Sequence, residues 1–91
     1  MDETTEADSE VERSPVLKAL RLMEQLAANI EPMALADLSR TVSLPKPTTF
    51  RLARSLESAG YIEKDPITRR YRVGSAFEEI ALNALRHGAG Q

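Results

Sequence analysis

A chain of 91 residues with 42% hydrophobic content has room for one small domain with one core. It has no cysteine and a single histidine, which excludes a disulfide framework and a thiolate nucleophile and leaves no ligand set for a metal; no cofactor is expected. No apolar run reaches membrane-spanning length, the chain opens on acids rather than a leader, and its formal net charge is only −2, so a cytoplasmic protein without membrane contact is expected.

Residues 1–12 carry Asp2, Glu3, Glu6, Asp8, Glu10 and Glu12 with no basic residue and little that is apolar, and are predicted to be a disordered acidic tail. Ser14 before Pro15 is a helix-start signal, and a first helix is predicted from Pro15 to about Asn29. Val16, Ala19, Leu20, Met23, Leu26, Ala27 and Ile30 mark its apolar stripe. Glu31 and Pro32 end it. Leu35, Leu38 and Val42 predict a short second helix, and Ser43 and Leu44 the turn after it.

Pro45 and Pro47 are tolerated only in a first turn, so a third helix must begin within that stretch. Thr49, Leu52, Ala53 and Leu56 are its inward face. Pro47, Arg51, Arg54 and Ser58 lie opposite, with Thr48, Phe50 and Ser55 on the flanks, and Gly60 stops the helix. Tyr61–Lys64 and Arg70–Val73 predict a hairpin around a loop from Asp65 to Arg69, with Arg70 and Arg72 on one face and Tyr71 and Val73 on the other. Ser75 and Glu78 are spaced as a capping box for a final helix to about Arg86, striped by Phe77, Ile80, Ala81, Ala84 and Leu85. The predicted class is mainly α with a small β-hairpin: a winged helix-turn-helix in residues 13–74, followed in 75–91 by a linker helix and a frayed end.

The mild net charge hides an asymmetry. Between Arg40 and Arg72, the cations Arg40, Lys46, Arg51, Arg54, Lys64, Arg69, Arg70 and Arg72 face only Glu57, Glu63 and Asp65. A helix fits the major groove of B-form DNA and reads base edges near its N-terminus, where this chain carries Lys46, Thr48, Phe50 and Arg51. Arginine pairs bidentately with guanine; threonine and phenylalanine suit a thymine methyl. Arg69 and Arg70 sit at the tip of the hairpin, where a wing meets phosphate. The candidate DNA-binding residues are Lys46, Pro47, Thr48, Phe50, Arg51, Arg54, Ser55, Arg69, Arg70 and Arg72. Phe50 suits the core as well as the groove, and Thr48 and Ser55 also fit as plain polar helix positions. No Ser/His/Asp set forms except through His87 near the terminus, and no glycine-rich phosphate loop is present, so no catalytic residue is assigned.

From Ser14 to Arg86 the sequence resembles the N-terminal domain of the IclR family of transcriptional regulators. The resemblance rests on Leu44-Pro45-Lys46 leading to Thr48 and Arg51-Leu52, on Leu56-Glu57 to Gly60-Tyr61, and on Asp65-Pro66 to Tyr71-Arg72-Val73-Gly74. It implies a winged helix-turn-helix that binds double-stranded operator DNA as a homodimer, with Lys46 to Ala59 as recognition helix. It also implies that a small-molecule effector acts only through a separate domain not found in this chain. Four positions depart from the family pattern: Ala34 for a capping Ser or Thr, Ser43 for a turn glycine, Pro47 for a serine and Arg69 for a wing glycine. A winged-helix module that docks proteins, or a DNA-binding regulator of another winged-helix family, are the alternatives.

Overall fold

A computed structural model describes residues 13–88; the acidic segment predicted to be disordered lies outside them. Among the described residues, four helices and a hairpin follow in the predicted order: α1 (Pro15–Ala28), α2 (Leu35–Val42), α3 (Lys46–Ser58), β1 (Ile62–Lys64), β2 (Tyr71–Val73) and α4 (Ser75–Arg86). The start of α1 is set as predicted: the Leu17 amide donates to Ser14 Oγ at 3.2 Å, and Pro15 opens the first turn.

The core joins Leu22, Met23 and Leu26 of α1 to Leu38 of α2, Ala53 of α3, and Ile62 and Tyr71 of the hairpin. Leu22 was absent from the predicted α1 stripe, whereas Val16, Leu20 and Ile30 of that stripe are exposed. The cause is that α1 is apolar on more than one side, so periodicity alone does not choose the inward edge; packing against α2, α3 and β2 does.

The antiparallel register is Ile62 with Val73, Glu63 with Arg72, and Lys64 with Tyr71. Tyr71 also exchanges both backbone hydrogen bonds with Met33, at 2.8 and 2.7 Å, so the segment between α1 and α2 extends the sheet. One paired residue is too short to show alternation, and the sequence offered no sign of it.

The capping box at α4 does not form. Gly74 is the N-cap, no side chain caps the helix, and Ser75 is already helical. Gly74 is required by close approach: a Cβ there would lie 2.3 Å from the Gly60 carbonyl oxygen. Gly60 itself, at φ 84°, closes α3, with its amide bonded to Glu57 O and that of Tyr61 to Leu56 O.

Candidate nucleic-acid interface

The angle between α2 and α3 is set by a turn with two buried hydroxyls. At the end of α2, Ser43 is left-handed at φ 58°, the Ser43 amide donates to Arg40 O at 3.2 Å, and the Leu44 amide donates to Ser39 O at 3.0 Å. This is a Schellman closure with serine where glycine costs least. The buried Ser39 hydroxyl donates to Leu44 O, and the fully buried Thr49 hydroxyl donates to Pro45 O at 3.0 Å. Adjacent carbonyls of the turn are thus held from both helices. Ala34, the N-cap of α2, makes no side-chain bond, as its departure from the family pattern implies; a missing cap of this kind costs about 1 kcal/mol.

Helix α3 begins at Lys46 with Pro45 as N-cap, no side-chain cap and no carboxylate in its first turn. Its positive end, joined by the exposed Lys46, therefore faces solvent uncompensated. Burying Thr49 and Ala53 turns Pro47, Arg51, Arg54 and Ser55 outward, with Thr48 half-buried beside them. Phe50, open to core or groove from sequence alone, is 36% exposed and lies on the surface beside the wing.

The wing loop is organised by Asp65. Its carboxylate accepts the amides of Ile67 at 2.8 Å and Thr68 at 2.9 Å, while its backbone bonds to those of Arg69 and Arg70. The Thr68 amide first, then that of Ile67, hold the Asp65 carboxyl below its ordinary pKa. Arg69 follows in the left-handed region at φ 63°, the conformation a wing glycine would take freely.

The predicted residues divide into two groups. Arg69 lines a cleft with Phe50 and Arg54 of α3, which brings the tip of the wing to the recognition face. Arg70 and Arg72 share a face, as alternation predicted, but line a different cleft with Pro32 and Pro66. Arg70 Nη1 donates to Pro32 O at 3.5 Å, and Arg72 reaches Glu63 Oε1 from Nε and Nη2 at 3.2 and 3.0 Å. Outside the wing and α3, Arg40 pairs with Asp37 on α2. Lys64 was not among the predicted residues; its Nζ stands 5.5 Å from the centre of the Phe50 ring and 5.2 Å from that of Tyr71. Alternation from the inward Ile62 was the signal that could have found it.

The profile of the IclR helix-turn-helix domain matches residues 15–66. The chain is 32% identical over 69 residues to the "Probable transcriptional regulator SauR" of Cupriavidus necator, covering 76% of this chain and 27% of that one. It is 32% identical over 65 residues to the glycerol operon regulatory protein of Streptomyces griseus, covering 71% and 25%. An IclR homolog from Microbacterium sp. strain HM58-2 superposes with a TM-score of 0.69 at 27% identity, over 80% of this chain and 32% of that one. The chain thus spans about a quarter of the length of these curated relatives. Turn, outward basic helix, wing and sequence matches agree: the chain belongs to the IclR family and carries its winged helix-turn-helix domain.

Proposed function

We propose that this DNA-binding domain of transcriptional regulation reads a specific double-stranded operator, with α3 in the major groove and the wing on the backbone. The observation that carries this reading is that Arg51 and Arg54 leave α3 on its outward side, Lys46 is exposed at its N-terminal end, and Arg69 reaches the outward side from the wing. Arg51, one turn into the helix, is the base-reading residue, and Thr48 and Phe50 flank it. Pro47 supplies neither an amide nor a hydroxyl to phosphate.

The operator is pseudo-palindromic and bound by a homodimer. Supporting this, α4 has no buried residue, and on its predicted stripe Ile80 is 50% and Leu85 69% exposed. A second copy is the simplest cover for such a stripe. In this reading α4 is also the linker to the remainder of a longer regulator, and response to a small-molecule effector lies outside these 91 residues. No catalytic role is proposed.

Selection of bound sequences from random duplexes, followed by titration at several salt concentrations, tests the reading. The expected result is an enriched inverted repeat, two protomers per site and a steep loss of affinity with salt. A flat salt response without enrichment would favour the protein-docking alternative, and a complex that stays at one protomer per duplex would overturn the dimer.

A further inference from the structure

Lys64 ends β1, half-buried between the wing and α3, and the carboxylates beside it in sequence are engaged elsewhere. Glu63 pairs with Arg72, and Asp65 takes the amides of Ile67 and Thr68. Among the described residues the ion pairs are Arg40–Asp37 and Arg72–Glu63, so Lys64 is in none. Its ammonium is held instead over the rings of Phe50 and Tyr71, at 5.5 and 5.2 Å. A ring face attracts a cation without cancelling its charge, as a carboxylate would. The Lys64 charge is therefore fixed in place and remains open to an anion.

Lys64 lines two clefts, one shared with Glu57, Glu63, Arg70 and Arg72, the other with Phe50, Arg54, Glu57, Ser58 and Arg69. In the second, three cations outweigh the one carboxylate, a set suited to a phosphate oxygen, while the Ser58 hydroxyl donates to Ser55 O at 2.8 Å. We propose that this cleft seats one backbone phosphate of the bound duplex, with Lys64 as the pre-placed contact and Arg54 and Arg69 on either side. The proposal rests on the reading that α3 and the wing bind DNA, and it adds a contact that joins the two.

The test uses the 91-residue chain, Lys64→Met and Lys64→Arg, on the selected duplex and on random duplex. Methionine keeps an unbranched apolar stem over both rings but carries no charge, so its salt slope should fall by about 0.9 per protomer on both duplexes. Arginine should restore the slope. Duplexes with a single neutral methylphosphonate, scanned along each strand, supply a measurement that needs no variant. Among the phosphates at which wild-type protein loses affinity, one should flank the recognition-helix site, and there Lys64→Met should lose less than wild type does. Wild-type binding with an unchanged slope in Lys64→Met, or additive losses at every phosphate, would overturn the proposal while leaving DNA binding intact. No binding by wild type to any duplex would overturn both.

Discussion

The α2–α3 turn and the wing loop each hold a residue with a side chain in the left-handed region, Ser43 at φ 58° and Arg69 at φ 63°. Each also bonds a polar side chain to nearby backbone. Their surroundings differ. The turn is tied by Ser39 and Thr49, both buried, and sits against the fully buried Leu38. The wing is tied by Asp65 and Thr68, both exposed, and carries Ile67 at 89% exposure. A backbone constraint set in the core fixes the angle between helices and contributes to global stability. The same constraint in solvent shapes a tip and contributes little, which leaves wing residues free to be chosen for their partner.

The largest difference between turn and wing should lie in their apolar residues. Leu38→Ala should lower stability by about 2 to 5 kcal/mol, as large-to-small core changes do, whereas Ile67→Ala should stay within about 0.5 kcal/mol of wild type. Chemical denaturation of both variants measures this. Comparable losses would mean that the wing is packed as firmly as the turn.

Next come the left-handed residues. Ser43→Gly relieves a backbone penalty of about 1 kcal/mol in the packed turn and should raise the melting temperature, whereas Arg69→Gly, at a tip that contributes little to global stability, should raise it less. Only Arg69→Gly should also shallow the salt dependence of DNA binding, by about 0.9 for one lost phosphate contact. A shallower slope in Ser43→Gly would show that the turn touches the backbone of DNA.

The smallest effect is that of acid on the wing. Because the Thr68 and Ile67 amides lower the Asp65 pKa, its contribution is fully present above the ordinary carboxylate range. It is lost as pH falls through the lowered, folded-state value. Amide proton shifts of Ile67 and Thr68 should titrate with a midpoint below that of an unperturbed aspartate, while amides of the buried turn stay unchanged. A midpoint at or above the ordinary value would contradict the Asp65 hydrogen bonds.

Punctuation explains how much of the fold was legible in advance. Ser14-Pro15, the pair of prolines before Thr48, and Gly60 are strong local signals, and the helices and hairpin follow from them. What stayed hidden depends on neighbours in space. The bridge from Met33 to Tyr71 spans 38 residues, and the preference for Leu22 over Leu20 is made by α2, α3 and β2. Gly74 takes the N-cap place that the capping box gave to Ser75, and it must be glycine because Gly60 O is too close for a Cβ. At the candidate site, alternation correctly grouped Arg70 with Arg72, but charge alone could not reveal that Glu63 already holds Arg72. Nor could it place Lys64 over two rings.

On this division of labour α3 reads and the wing grips. Measuring Arg51→Ala and Arg69→Ala on preferred and scrambled duplexes, at several salt concentrations, tests it most directly. Arg51→Ala should lose about 1 to 3 kcal/mol on the preferred duplex, little on the scrambled one, and relax preference at one base pair. Arg69→Ala should weaken both duplexes by similar factors and shallow the salt slope by about 0.9. Equal losses on both duplexes for Arg51→Ala would contradict the account, because Arg51 would then hold phosphate rather than read a base.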